Sequence, residues 1–301
     1  MIELDKKPTP FLKWAGGKTR LLPQFEQYFP CRFQRYIEPF VGSGAVFFHM
    51  LPAVAVLNDA NSTLIAAYQH LRAHVEDVIA RLCEIRTRYH AMTPEGQRQE
   101  YYRARELYNR LPAGTIEKSA LLIFLNKTGY NGLYRENSRG EFNVPFGRYN
   151  NPALFDAANL RAVSRALQSV ELVCDQYRCV VRAAQSGDFV YFDPPYMPLS
   201  KTASFTSYTK DAFSLDQQAD LAALARQLTG RGVLVMLSNS NSPVIRDLYR
   251  DFRLNEVWAS RAVNSKADLR GKISELVITN YPVLPEQLGT ELALLAQSDD
   301  A

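Results

Sequence analysis

The chain has 301 residues, of which 47% are hydrophobic and 22% are charged, and its formal net charge is +4. This composition is typical of a soluble globular protein and excludes a disordered, collagen-like or coiled-coil chain. No apolar run approaches the ~20 residues that a membrane-spanning helix needs, and the N-terminal segment MIELDKKPTPF has no hydrophobic signal core. We therefore expect a cytoplasmic protein without membrane contacts, and the small net charge permits a nucleic-acid partner without indicating one.

Short apolar runs and helical patterns alternate along most of the chain. The runs predict strands at Tyr36–Glu38, Val54–Leu57, Val170–Cys174, Phe189–Phe192, Val233–Leu237 and Leu276–Thr279. The helical patterns lie at Ala45–Met50, Ser62–Tyr89, Pro152–Leu167 and Leu215–Leu228, the last behind a Ser214 N-cap with Gln217 three residues on. Such alternation predicts an α/β fold with a mainly parallel sheet covered on both faces. The mostly helical interval from about Thr63 to Asn151 breaks it, and we interpret that interval as an inserted domain.

A glycine-rich turn, Pro39-Phe40-Val41-Gly42-Ser43-Gly44, directly follows the first predicted strand. Glycines at a strand-to-helix turn allow the backbone to approach a ligand closely. Asp59, in Asn58-Asp59-Ala60-Asn61, follows the next strand, where a carboxylate can accept both ribose hydroxyls of a nucleoside-type cofactor. The turn and the acid together predict a nucleoside site without a diphosphate motif.

A second glycine cluster, Phe11-Leu12-Lys13-Trp14-Ala15-Gly16-Gly17-Lys18-Thr19, lies near the N-terminus. Its last three residues match the end of a phosphate-binding P-loop, but that motif requires a glycine where this chain has Leu12. Trp14 lies near two glycines and is flanked by lysines. This arrangement instead predicts an exposed indole on which the ring of a ligand stacks, together with a contact to a carboxylate or phosphate group of the ligand.

The tetrapeptide Asp193-Pro194-Pro195-Tyr196 directly follows the strand at Phe189–Phe192. Because proline has no N–H, this turn presents carbonyls and side chains at the carboxyl end of the strand. If Asp193 and the Pro194 carbonyl accept the hydrogens of an exocyclic adenine amine, its lone pair becomes available to attack an electrophilic methyl, with Tyr196 stacked on the purine. The alternative is a proline-rich turn that carries one exposed acid.

The segment from Asn126 to Tyr149, NKTGYNGLYRENSRGEFNVPFGRY, interleaves basic and aromatic residues. Asn137-Ser138-Arg139-Gly140 predicts the turn of a β-hairpin between Leu133–Arg135 and Glu141–Val144. Arginine can read guanine edges and an aromatic ring can replace a lost base stack, so the segment favours a nucleic-acid surface. A solvated hairpin is the alternative.

In their order along the chain, FLKWAGGK, PFVGSG, the Asp-x-Asn acid, GYNGLYR…GEFNVPFGRY and DPPY resemble the Dam family of DNA adenine-N6 methyltransferases, from about Phe11 to Tyr281. The resemblance implies a doubly wound, Rossmann-like S-adenosylmethionine-dependent methyltransferase fold with an inserted, mainly helical target-recognition domain that bears the hairpin. The implied domains are a discontinuous catalytic domain of residues 1–62 and 152–284, a target-recognition domain of residues 63–151 and a C-terminal tail of residues 285–301.

The resemblance also assigns roles to residues. The implied cofactor contacts are Trp14, Lys18, Phe40, Gly42, Gly44, Asp59 and Asp193. The implied catalytic residues are Asp193, Pro194, Pro195 and Tyr196. The implied DNA contacts are Lys13, Tyr130, Asn131, Leu133, Arg135, Arg139, Pro145, Arg148 and Tyr149. Within that set, Tyr130 and Asn131 fill the gap left by an extruded adenine, Lys13 touches the outer guanine of GATC, and the remaining base contacts are Leu133, Arg135 and Pro145.

The implied reaction is methyl transfer from S-adenosylmethionine to N6 of adenine in double-stranded DNA, at GATC, by base flipping and without a metal. The implied enzyme is a monomer in the bacterial cytoplasm, associated with the nucleoid. Two alternatives stay open: an amino-methyltransferase acting on cytosine N4, RNA or a protein, and a non-catalytic DNA-binding module. Asp193 favours adenine over cytosine, and the intact set of Trp14, Asp59 and DPPY favours an active enzyme.

Overall fold

The computed structural model describes residues 6–196, 213–260 and 272–282. The helices in these ranges are α1 (Leu22–Phe25), α2 (Ala45–Met50), α3 (Ser62–Ala73), α4 (Val75–His90), α5 (Pro94–Arg110), α6 (Ile116–Thr128), α7 (Ala157–Ala166), α8 (Tyr177–Val180), α9 (Leu215–Gly230) and α10 (Pro243–Leu248). The strands are β1 (Tyr36–Glu38), β2 (Ala55–Asn58), β3 (Val170–Val173), β4 (Phe189–Phe192), β5 (Leu234–Ser240), β6 (Arg253–Ser260) and β7 (Lys272–Thr279). The protein is thus of the mixed α/β class, as predicted.

By packing, the described residues divide into two compact units. The first unit comprises residues 6–17 and 41–177, and the second comprises residues 18–40, 178–196, 213–260 and 272–282. None of the helices in the described ranges combines the length and the apolar character of a membrane span.

Helix α6 lies at the centre of the first unit, where α3, α4 and α5 pack around it. Its segment Ala120–Leu125 is apolar on every side and fully buried, as expected for a helix without a polar face. The same unit contains the parallel pair of β2 and β3, in which Ala55 lies opposite Val170. This pair brings the residues that follow the two strands, Asp59 and Cys174, to the same edge.

In the second unit the strands follow the order β1-β4-β5-β7-β6. The pairs β1/β4 and β4/β5 are parallel, and β7 is antiparallel to both β5 and β6. All four residues of β4 are buried, which is typical of a parallel strand covered on both faces. Because Phe192 lies opposite Leu237, the register brings the next residues of the two strands, Asp193 and Ser238, side by side.

Most predicted elements are confirmed, including the capping box of α9, in which Ser214 and Gln217 each bond the other's backbone N–H. Strand β6 was missed because its sequence, RLNEVWAS, has neither a continuous apolar run nor a regular alternation of polar and apolar residues. The single helix predicted from Ser62 to Tyr89 is two helices, interrupted at His74 by a non-helical backbone conformation.

Two other predictions differ in detail from the structure. Helix α7 begins at Ala157 rather than at Pro152, because the Asp156 side chain accepts the backbone N–H of Asn159 and caps the helix there. The predicted hairpin at residues 133–144 is not a continuous ladder. The segment forms isolated antiparallel bridges, Glu136 with Phe142 and, just outside it, Gly129 with Phe146.

Candidate active site

Asp59 is held by backbone N–H groups at the carboxyl end of β2. Its Oδ2 accepts the N–H of Gly42 at 3.1 Å, and its Oδ1 accepts the N–H of Asn61 at 3.0 Å. Burial raises the pKa of Asp59 above its ordinary value, against the lowering effect of these two hydrogen bonds. The sequence-predicted acid and glycine turn are therefore joined by a direct hydrogen bond.

The glycine turn packs tightly against Trp14 and against Tyr68 of α3. Gly42 has a φ of 47°, and a Cβ there would lie 2.8 Å from Cδ1 of Trp14. At Gly44, a Cβ would lie 2.8 Å from the Tyr68 hydroxyl, which itself donates to the Gly42 carbonyl at 3.1 Å. The predicted need for glycine at both positions thus has a steric cause.

Trp14 is half-buried, which corrects the prediction of an exposed platform. Its indole stacks on Tyr134 with the ring centroids 5.0 Å apart and the planes at 22°. The Tyr134 hydroxyl donates to Glu136, and its oxygen lies 3.4 Å from the oxygen of the Tyr108 hydroxyl. These contacts fix the orientation of the Tyr134 ring. Sequence reasoning did not identify Tyr134, which was one aromatic among several in its segment.

In the part of the chain that the structure describes, the side-chain contacts of Asp193 meet at one carboxylate oxygen. Its Oδ1 accepts the Nζ of Lys18 at 2.8 Å and the Oγ of Ser238 at 2.8 Å. The Lys18 side chain is only 4% exposed, so this ion pair is shielded from water on the lysine side. Ser238 was not predicted, although its place beside Asp193 follows from the register of β4 and β5.

The rest of the proline tetrapeptide is also fixed by polar contacts. The ammonium of Lys18 lies 4.7 Å from the centroid of the Tyr196 ring, and the Tyr196 hydroxyl donates to Glu275 at 2.8 Å. Burial, followed by the negative charges of Asp193 and Glu275, raises the pKa of Tyr196 well above its ordinary value. The Pro195 carbonyl accepts the side-chain amide of Gln218 at 3.3 Å.

Phe40 belongs to an aromatic cluster of the second unit. Its ring meets Phe213 edge-on, with a centroid distance of 5.9 Å and an interplanar angle of 84°. It also lies 6.4 Å from the ring of Phe192 at the end of β4. The structure therefore places Phe40 next to the strand that carries Asp193.

The predicted DNA contacts lie in the first unit and are mostly exposed. Tyr130 is 54% exposed and Leu133 is 36% exposed. The other exposed members are Lys13, Asn131, Arg135, Arg139, Pro145 and Arg148, whereas Tyr149 is half-buried. Tyr149 lies under Lys13, whose Nζ is 5.3 Å from the centroid of its ring. The Tyr130 N–H donates to the Pro145 carbonyl at 2.9 Å, which holds two of these residues together.

Two asparagines that were not predicted organise this surface. Asn143 accepts the Nε of Arg135 on its Oδ1 at 2.7 Å, which orients the guanidinium. Asn126, in α6, is 1% exposed and binds the backbone of Lys13 and of Gly132. A polar residue within an apolar helix was the sequence signal for Asn126.

We predict that Gly42→Ala lowers the free energy of unfolding by about 1–3 kcal/mol more than Gly114→Ala, as overpacking typically does. Gly114 is the matched control because its φ is also positive, 84°, but a Cβ there meets nothing within 4 Å. Urea denaturation of both variants measures the difference. Equal losses would mean that Trp14 yields freely and that the turn is not sterically fixed.

Comparison with known proteins identifies the family. Residues 14–263 match the family model for D12 class N6 adenine-specific DNA methyltransferase. The type II methyltransferase M.MjaIII of Methanocaldococcus jannaschii is 44% identical over 285 residues, which cover 90% of this chain and 99% of that protein. The type II methyltransferase M1.LlaDCHI of Lactococcus lactis subsp. cremoris is 41% identical over 278 residues, covering 90% and 95%.

The DNA adenine methylase of Escherichia coli (strain K12) is 37% identical over 278 residues, which cover 92% of this chain and 97% of that protein. These matches confirm the resemblance carried by the sequence motifs. They indicate an enzyme that methylates adenine in DNA, with S-adenosylmethionine as the methyl donor, in place of the alternatives left open by the residues alone. The chain belongs to the D12 class of N6 adenine-specific DNA methyltransferases.

Proposed function

We propose that this enzyme methylates adenine N6 within GATC in double-stranded DNA, after flipping the adenine out of the duplex, and that it acts as a monomer in the bacterial cytoplasm. The anchoring of Asp193 Oδ1 by both Lys18 and Ser238 is the observation that carries the proposal. Residues 1–62 and 152–284 form the catalytic domain in this proposal, and residues 63–151 form the target-recognition domain. All proposed DNA contacts except Lys13 fall within residues 63–151.

The residues proposed to bind the cofactor are suited to a nucleoside. An ionised carboxylate offers about four lone-pair positions, and the two backbone N–H groups on Asp59 leave acceptor capacity for ribose hydroxyls. At Gly42 and Gly44 the backbone of the turn lies so close to Trp14 and Tyr68 that there is no space for a Cβ. The proposed contacts are Trp14, Lys18, Phe40, Gly42, Gly44, Asp59 and Asp193. S-adenosylmethionine, when bound, supplies a methyl group already activated for transfer.

In the proposed reaction, Asp193 accepts one N–H of the target amine and the Pro194 carbonyl accepts the other. Lys18 and Ser238 both donate to Oδ1, so they hold the carboxylate rotamer and leave Oδ2 as the acceptor. The two hydrogen bonds draw the amine lone pair out of conjugation with the purine ring. N6 would then bond to the methyl carbon as the carbon–sulfur bond of the donor breaks, and one N6 proton would be released to solvent. The residues thereby supply orientation and polarisation rather than a covalent nucleophile, with Tyr196 stacked on the flipped base.

On the DNA side, an exposed aromatic ring at Tyr130 suits the replacement of a lost base stack. Asn131 follows it with a φ of 55°, in the left-handed region that asparagine tolerates better than most residues. We propose that these two residues occupy the gap left by the adenine. Leu133, Arg135, Pro145 and Lys13 read the bases, and Arg139, Arg148 and Tyr149 complete the surface.

Expression in a bacterium that lacks adenine methylation tests the proposal. We expect its DNA to be cut by an endonuclease that requires methylated GATC and to resist one that requires unmethylated GATC. Asp193→Ala is the control: it should abolish methylation while duplex binding persists. Methylated adenine in another sequence would overturn the GATC assignment, and turnover by Asp193→Ala would overturn the catalytic role.

We also predict that Arg135→Ala costs about 1–3 kcal/mol of discrimination at one base pair of the target. Rates on duplexes substituted at each target position measure this loss. Asn143→Ala, which frees the Arg135 guanidinium from Oδ1, should give a smaller loss at the same base pair. Arg110→Ala, which removes an arginine 79% exposed on α5, serves as the control. A uniform loss on all sequences would make Arg135 a phosphate contact instead.

A further inference from the structure

Asn126 satisfies its side-chain amide by joining two distant segments of the first unit. Its Oδ1 accepts the Lys13 N–H at 2.8 Å, and its Nδ2 donates to the carbonyls of Lys13 at 2.8 Å and of Gly132 at 2.9 Å. Buried polar groups in native proteins are nearly always hydrogen-bonded in this way. Removing one partner leaves the other buried without a hydrogen bond, which lowers the free energy of unfolding. Helix α6 therefore holds the Lys13 segment and the loop at residues 130–133 through a single side chain.

Continuous contacts lead from Asp59 to the same recognition segment. Asp59 binds the Gly42 N–H, and Gly42 packs against Trp14. Trp14 stacks on Tyr134, which immediately follows Leu133 in the chain. The residue before Trp14 is Lys13, the one that Asn126 binds. Two links therefore connect the proposed cofactor-binding residues with the proposed base-contacting residues. One is the side-chain amide of Asn126, and the other is the stack of Trp14 on Tyr134.

We propose that Asn126 and Tyr134 are positioning residues that couple cofactor binding to recognition of the target bases, an inference that rests on the proposed function. A ligand that packs against Trp14 restrains the Lys13–Trp14 segment, and the two links pass this restraint to the loop at residues 130–133. A duplex that binds the restrained loop then loses less conformational entropy. Linkage requires each ligand to raise the affinity of the other by the same factor.

The competing explanation is that both residues only stabilise the fold. A structural role lowers the free energy of unfolding but leaves the coupling factor between the two ligands unchanged. The chain offers a matched control in Asn159, whose side chain pairs with both backbone groups of Thr9, at 2.9 and 3.0 Å. Asn159 thus restrains the same N-terminal segment, and within the described residues its side chain bonds Thr9 and does not bond Gly132.

The experiment measures duplex affinity by fluorescence anisotropy with and without S-adenosylhomocysteine, a cofactor analogue that carries no methyl for transfer. The duplex contains whichever site the wild-type enzyme methylates. We expect the analogue to tighten wild-type binding by a factor in the range of about 5- to 150-fold that is usual for coupled sites. Asn126→Ala and Tyr134→Leu should reduce the factor to about twofold or less. Tyr134→Phe, which keeps the stack, and Asn159→Ala should retain it.

Folded Asn126→Ala and Tyr134→Leu proteins that keep the wild-type factor would overturn the inference, as would a wild-type enzyme that shows no coupling. If Asn126→Ala does not fold, the comparison of Tyr134→Leu with Tyr134→Phe decides. A wild-type enzyme that methylates no adenine would instead overturn the proposed function, so the two failures are distinct.

Discussion

The ion pair between Lys18 and Asp193 is the interaction on which the proposed chemistry depends. Removing one partner of a buried pair typically costs about 3–5 kcal/mol, because the other charge is left uncompensated. Lys18 is 4% exposed and Asp193 is 19% exposed, so the pair is shielded from water without being sealed from a ligand. The Asp193 carboxylate directly follows strand β4, and Ser238 on β5 is the second donor to its Oδ1. This geometry fixes one carboxylate oxygen, and in the proposed reaction the other oxygen accepts the target amine.

In the first unit, asparagine side chains position the loops. In each case one amide pairs with both the N–H and the carbonyl of a distant backbone residue, as a neighbouring strand would. The pairs are Asn58 with Asp175, Asn109 with Phe142, Asn126 with Lys13 and Asn159 with Thr9. Such loops need no strand ladder of their own. In the segment at residues 126–149, which forms isolated bridges instead of a regular hairpin, Asn109 bonds the backbone of Phe142 and Asn126 bonds the carbonyl of Gly132.

The sequence predicted the elements whose signals are local. Buried strands such as Phe189–Phe192 follow from apolar runs, the start of α9 follows from Ser214 and Gln217, and the glycine turn and DPPY mark the ends of their strands. Signals that depend on tertiary partners were missed. Strand β6 resembles a polar segment until β7 lies beside it, and Lys18 gives no sequence sign that its partner is Asp193. The stack of Tyr134 on Trp14 and the bonds of Asn126 to Lys13 and Gly132 depend in the same way on the tertiary fold.

Single-turnover methyl transfer by Lys18→Met, at saturating cofactor and duplex, tests whether the anchored carboxylate drives the reaction. We predict a rate about 100-fold or more below that of the wild type, the usual loss when a preorganised electrostatic contact is removed, with duplex affinity retained. Far-ultraviolet circular dichroism and thermal unfolding verify that the variant is folded. A wild-type rate accompanied only by weaker cofactor binding would contradict the account, because Lys18 would then serve the cofactor and not Asp193.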